Sequence, residues 1–145
     1  MNRKQITKFV PMFIRKTVGD NDIKIVFFDD KTVDYAGTVY PSKNEIRFNF
    51  HHLRGRSRGM IQATVLHELG HLDENSKLSR SMREFMASTW ALRKAEQMGL
   101  SEAISDIRQT FRYWYGFKWS GESYIGFPSR AYLLAARMAK REHVI

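Results

Sequence analysis

The sequence contains no cysteine and only three prolines in 145 residues. Without thiols the chain can form neither a disulfide nor a thiolate metal site, so only nitrogen and oxygen ligands could hold a metal. No apolar run approaches the roughly 18 residues that a membrane span needs. The basic segment 1–16 is interrupted by Pro11 and lacks the apolar core of a signal peptide. We therefore expect a cytoplasmic protein with no membrane partner.

Acidic residues are also scarce, since 15 Asp and Glu face 24 Lys and Arg and give a formal net charge of +9. The basic residues form two clusters, Arg54, Arg56 and Arg58 in one and Arg137, Lys140 and Arg141 in the other. This imbalance favours an acidic partner, either DNA or a DNA-bound protein. A basic surface that serves only solubility is the alternative.

The composition, 43% hydrophobic and 13% aromatic, predicts one globular domain over residues 1–145. Apolar spacing predicts a helix over residues 3–17 and a buried strand over 23–28. Residues 36–40 and 45–50 flank a Pro-Ser-Lys-Asn turn and are typical of a hairpin. The fold class we expect is α+β, with a small antiparallel sheet before a metal-binding helix.

The C-terminal half is predicted to be mostly helical. Gly99 suits the end of one helix, Ser101 the N-cap of a second that reaches about Tyr115, and Pro128 the first turn of a third that ends near Arg141. The aromatic residues of this region are Phe111, Tyr113, Trp114, Tyr115, Phe117 and Trp119. We expect them in the core and in the wall of a cleft, with a binding platform as the alternative.

The segment His67-Glu68-Leu69-Gly70-His71 is an HExxH motif. On a helix, histidines at i and i+4 leave the same face and can bind one zinc ion, while the glutamate reaches a water beside the metal. The run from Met60 to Leu72 predicts this helix, because Ile61, Val65, Leu69 and Leu72 form an apolar stripe that excludes both histidines. Gly70 weakens a helix, so we expect backbone or metal to approach closely beside His71.

A catalytic zinc site normally has three protein ligands. Glu84 is the candidate third ligand, because it heads a stripe of small residues on the next helix, followed by Ala87, Ala91 and Ala95. The alternative is that Glu84 closes a capping box with Ser81. Asp73 and Glu74 follow His71 too closely to bind the same metal, and they are expected to orient an imidazole through its other N–H.

HELGH followed by the helix Glu84-Phe85-Met86-Ala87-Ser88-Thr89-Trp90-Ala91 resembles the gluzincin plan, and within it the ImmA/IrrE-type metallopeptidases. The resemblance covers about residues 36 to 98. It implies a zincin-like fold, Zn²⁺ held by His67, His71 and Glu84, and Glu68 as the general base of an intracellular peptidase that acts on a regulator. In the resembled fold an edge strand pairs with an extended peptide substrate.

The expected function is therefore zinc-dependent hydrolysis of a protein or peptide substrate. Two alternatives remain open: a protease resembling the SprT type that acts on DNA-bound proteins, and a non-enzymatic basic binding protein with a vestigial metal site. Tyr113 or Tyr124 could donate a hydrogen bond to the oxyanion, but their spacing singles out neither.

Overall fold

A computed structural model describes residues 1–120 and 130–145, with the backbone alone for 117–120. The helices are α1 (Arg3–Val18), α2 (Phe50–Leu53), α3 (Arg58–His71), α4 (Arg80–Met98), α5 (Ser101–Ser120) and α6 (Arg130–Arg141). The strands are β1 (Lys24–Phe28), β2 (Gly37–Tyr40) and β3 (Glu45–Asn49). The α+β class is confirmed, with a small sheet ahead of a helical C-terminal half.

The sheet has the strand order β1-β3-β2 and is mixed, which corrects the expectation of an antiparallel sheet. β2 and β3 form the predicted antiparallel hairpin, but β1 runs parallel to β3, with Lys24 opposite Glu45. The parallel pair arises because the chain leaves β1, crosses the end of β3 through residues 29–36 and descends along β2. The sequence shows the turn after β1 but not this crossing.

The side chain of Asn49, fully buried at the end of β3, fixes this crossing segment. It accepts from Asp30 N at 3.1 Å and donates to Asp30 O at 2.9 Å, while Asn49 N donates to Ala36 O at 2.8 Å. A ring nitrogen of His52 also lies within hydrogen-bonding distance of the Val33 carbonyl. These contacts hold the segment that leads into β2 against the end of β3 and against α2.

The predicted apolar stripe of α3 faces the core, where Ile61 and Val65 are fully buried and Leu69 is nearly so. They pack in one cluster with the buried face of α1 and with Ile46 and Phe48 of β3. The opposite face of α3 is left for the histidines. Burial of this stripe therefore sets the rotation of the helix and the direction of its polar groups.

Of the three C-terminal helices, only α5 differs from expectation at the ends that the structure describes. Gly99 ends α4 in the left-handed conformation, as predicted, and α6 ends at Arg141. Ser101 is the first residue of α5 rather than its N-cap, and α5 continues to Ser120, beyond the expected end. Pro128 lies outside the described residues.

Phe111 and Trp114 lie in the core, as expected for the aromatic cluster, whereas Tyr113 is 53% exposed. Tyr115 is partly buried against the core. The side chains of Phe117 and Trp119 lie outside the described part. None of the helices in the described part of the chain is long and apolar enough to cross a membrane.

Candidate metal centre

The two histidines of the motif lie one turn apart in the second half of α3. Ser57 caps the start of this helix by accepting from Met60 N at 3.3 Å. The imidazole rings of His67 and His71 are nearly perpendicular, with centroids 4.7 Å apart. Their Nε2 atoms face each other at 3.0 Å. Helical spacing alone thus brings two nitrogen ligands to one point.

Glu84 reaches the same point from α4. Its Oε2 lies 3.1 Å from His67 Nε2 and 3.3 Å from His71 Nε2. The capping-box alternative for Glu84 is wrong, because α4 begins at Arg80 and Ser79 is its N-cap, accepting from Met82 N at 3.2 Å. The cluster of His67, His71 and Glu84 can hold a metal ion.

The other ring nitrogen of each histidine is also engaged. His71 donates from Nδ1 to Glu74 Oε2 at 2.6 Å, and Glu74 Oε1 accepts from Arg83 Nη1 at 3.2 Å. His67 Nδ1 lies 2.9 Å from Ser88 Oγ, which can accept a hydrogen bond from it. These contacts orient both rings with Nε2 toward the cluster.

Glu74 therefore takes the position expected of an imidazole-orienting carboxylate, whereas Asp73 is exposed. Sequence reasoning did not assign Ser88 to this role. A signal was present, since Ser88 follows Glu84 by four residues and so lies on the same face of α4.

Charge in the cluster is tightly balanced. Burial acts to lower the pKa of His71, but hydrogen bonds to Glu84 and Glu74 outweigh it and raise this pKa to about 9. Burial acts to raise the pKa of Glu84, yet its contacts with both imidazoles hold this pKa well below its usual range. The Glu84 carboxylate is thus ionised and lies beside a protonated His71.

Glu68 lies beside the cluster and is almost fully buried. Burial raises the pKa of Glu68, although the nearby charges of His67 and His71 oppose the shift. Gly37 of β2 permits this placement, because a Cβ at Gly37 would lie only 2.9 Å from Glu68 Cγ. A carboxylate with a raised pKa is suited to accept and return a proton near neutral pH.

A cavity of about 440 Å³ opens onto His67 and Glu68. One wall is the start of β2 with the residues before it, and others come from α3, α5 and α6. Trp114 and Tyr132 line the cavity and stack on each other, with ring centroids 4.6 Å apart.

The sequence did not predict Tyr132 as a residue of the cavity. It offered Tyr113 and Tyr124 as possible hydrogen-bond donors to the oxyanion. Tyr113 is absent from the cavity lining and largely exposed, and Tyr124 lies outside the described residues. Burial raises the pKa of Tyr132, and the charges of Glu84 and Glu68 add to the shift. No local pattern marks Tyr132, because its position depends on how α6 packs on α4.

The first basic cluster does not act as a unit, because each arginine contacts a different partner. Arg54 pairs with Asp29 at 3.1 Å, Arg58 lies over the Phe9 ring at 5.0 Å, and Arg56 lines the cavity. The second basic cluster lines a separate surface groove together with Tyr115. Its members are Arg137, Lys140 and Arg141.

Comparisons with known proteins give no match to this chain. No family model matches it, and neither a curated protein nor a solved structure does. The chemistry of the centre therefore has to be inferred from its own side chains.

Proposed function

We propose that this protein is a zinc-dependent peptidase of the gluzincin type, with His67, His71 and Glu84 as metal ligands and Glu68 as the general base. The observation that carries the proposal is the convergence of three ligand atoms within 3.0 to 3.3 Å of one another. A buried carboxylate and an open cavity adjoin the same point.

Zinc fits this donor set. Two imidazole nitrogens and one carboxylate oxygen are the ligands of known catalytic zinc sites. Zinc–ligand distances of about 2.0–2.2 Å and tetrahedral angles place neighbouring ligand atoms about 3.3 Å apart. The distances between the three ligand atoms match that spacing, and the hydrogen bonds to Glu74 and Ser88 present the correct nitrogen of each ring.

The chain's own residues supply the rest of the chemistry. When bound, a zinc ion lowers the pKa of water and polarises a carbonyl. Glu68 takes the proton from the attacking water and returns it to the leaving amine. Its burial excludes competing solvent and keeps its pKa raised, which favours both transfers.

β2 supports a peptide as the substrate. It is an edge strand of the sheet and packs against α3, and its first residue, Gly37, touches Glu68. An extended peptide can pair with such an edge through main-chain hydrogen bonds, which would bring its backbone carbonyls to the cavity. Because main-chain pairing does not depend on side chains, this mode of binding would accept extended segments of many sequences.

The test combines metal analysis with cleavage. Protein purified without chelator should contain about one zinc per chain and should cleave a random peptide library, with products read by mass spectrometry. Glu68→Gln should retain zinc and lose cleavage. Glu96→Gln, which changes an exposed carboxylate on α4, is the matched control and should cleave normally. A zinc-loaded wild type that cleaves neither peptides nor proteins in a lysate would contradict the proposal.

A DNA-associated protease is the second candidate, favoured by the basic groove on α6. Lys140 lies 6.0 Å from the Tyr115 ring centroid there, between Arg137 and Arg141. Contacts between such basic side chains and DNA phosphates would give binding that weakens steeply with salt. Gel shifts of wild type and Arg137→Ala at low salt test it, with Arg108→Ala, which removes an ion-paired arginine of α5, as the control. No shift at low salt would remove this candidate.

A further inference from the structure

Arg56 lies in the wall of the cavity that contains His67 and Glu68. Its guanidinium is partly buried and donates from Nη1 to Thr64 Oγ1 at 3.2 Å. Among the described side chains, no carboxylate lies within ion-pair distance of Arg56. The neighbouring Arg54, by contrast, forms an ion pair with Asp29.

Arg56 thus has no ion-pair partner among the described side chains, although the carboxyl groups of Asp34, Glu68 and Asp106 line the same cavity. Burial lowers the pKa of Arg56, and the more distant Asp106, which lines the same cavity, only partly offsets this. A partly desolvated guanidinium without a contacting anion is unfavourable for the free protein. A ligand that brings a carboxylate would relieve this cost, because guanidinium and carboxylate form strong paired hydrogen bonds.

The position of Arg56 along the cleft follows from its contact with Thr64. Thr64 precedes Glu68 by four residues, so the two lie on one face of α3 about 6 Å apart along the helix axis. An extended peptide advances about 3.3 Å per residue. For a peptide that lies along α3, this spacing places the guanidinium one or two residues away from the bond at which Glu68 acts.

We propose that Arg56 forms a carboxylate-binding subsite, which makes the protein select substrates with an acidic group one or two residues from the scissile bond. The inference deepens the proposed peptidase function and rests on it. The carboxylate can come from an Asp or Glu side chain or from the C-terminus of the substrate. The chemistry recognised at Arg56 is the same in both cases.

Binding to zinc-loaded Glu68→Gln protein tests the subsite without cleavage. Fluorescein-labelled octapeptide libraries with Glu or Gln fixed at one position, each with a free or an amidated C-terminus, are titrated by anisotropy. Loss of a charge-assisted contact should weaken binding about tenfold or more. If Arg56 binds a side-chain carboxylate, the Gln peptides should bind more weakly than the Glu peptides. If Arg56 binds the C-terminal carboxylate, the amidated peptides should bind more weakly than those with a free C-terminus. Equal binding of all four sets, or binding of none, overturns the inference.

Variants then assign the effect to Arg56. Added to the Glu68→Gln background, Arg56→Gln should abolish the carboxylate preference and Arg56→Lys should retain part of it. Arg54→Gln, the matched control that does not line the cavity, should leave the preference intact. Thermal unfolding checks that each variant folds. If Arg56→Gln does not fold, the inference is tested by the difference in binding between Glu and Gln peptides on the zinc-loaded Glu68→Gln protein and on its Arg56→Lys variant.

Cleavage by the wild type separates this inference from the proposed function. Cleavage with no acidic preference at any position would retain the peptidase and overturn the subsite. A carboxylate preference in binding, with no cleavage of any library by zinc-loaded wild type, would retain the subsite and overturn the peptidase.

Discussion

Gly70 of α3 and Ala87 of α4 are closer than any side chain at position 70 would allow. A Cβ on Gly70 would lie 2.6 Å from the Ala87 carbonyl oxygen and 2.9 Å from its Cα. The two helix backbones meet here, one residue from His71 and one residue from Ser88. This close approach is what lets Glu84 and Ser88 reach the imidazoles of α3.

Gly70→Ala should therefore destabilise the protein, although alanine is the better helix former by about 1 kcal/mol. Forcing the helices apart should cost about 1–3 kcal/mol and weaken zinc binding together with stability. Gly116→Ala is the matched control, because no atom of the described residues lies within 4 Å of a Cβ at this helical glycine, and it should be neutral or slightly stabilising. Urea unfolding and zinc titration measure both. A stabilised Gly70→Ala would contradict the close packing.

Glu84→Ala should lower zinc affinity sharply, because it leaves two ligands where a catalytic site needs three. Ser79→Ala is the control on the same helix: losing the N-cap should cost about 0.5–2 kcal/mol of stability but leave zinc in place. Competition with a chromophoric chelator measures the affinity. Full zinc retention in Glu84→Ala would remove it from the ligand set.

Glu74→Gln tests the carboxylate that orients His71. Loss of the charged acceptor should lower zinc affinity about 10- to 100-fold, as is usual for partners of metal-bound histidines. Asp73→Asn removes the adjacent, exposed carboxylate and should have little effect. Equal losses in the two variants would point to general electrostatics rather than to the 2.6 Å contact with His71.

The parts of this structure that sequence could predict are those with local causes. The predicted elements through α3 lie within two residues of their observed ends, because apolar period, turn residues and caps act over short distances, whereas the short helix α2 was not predicted. The convergence of His67 and His71 follows from helical spacing alone. Gly70 also signalled a close approach, although only the fold identifies Ala87 as the group it meets.

The features that could not be predicted from the sequence depend on contacts between distant segments. The parallel pairing of β1 with β3 results from the crossing held by Asn49, which no strand pattern reveals. Tyr132 enters the cavity because α6 packs on α4, and Arg56 separates from Arg54 because it turns toward Thr64. The arginines at 54, 56 and 58 therefore do not form one surface patch, although they lie close together in sequence.

The fall in stability that we expect between pH 6.5 and 9 should belong to the metal-free protein. In the metal-free protein, burial opposes protonation of His71, but Glu84 and Glu74 outweigh it and raise the pKa from 6.5 to about 9. Because the folded pKa is the higher one, this stabilisation is fully present below pH 6.5 and is lost as the pH rises through 9. Glu84 stays ionised throughout, since its pKa is held well below its usual range.

Zinc requires the neutral imidazole, so proton and metal compete for His71. Over the interval from pH 6.5 to 9, the Tm of metal-free protein should fall, and the gap between zinc-loaded and metal-free Tm should widen. Scanning fluorimetry with and without zinc measures both, and His71→Gln should reduce the decline of the metal-free protein. A metal-free Tm that rises across this interval would show that His71 is not held protonated by Glu84 and Glu74.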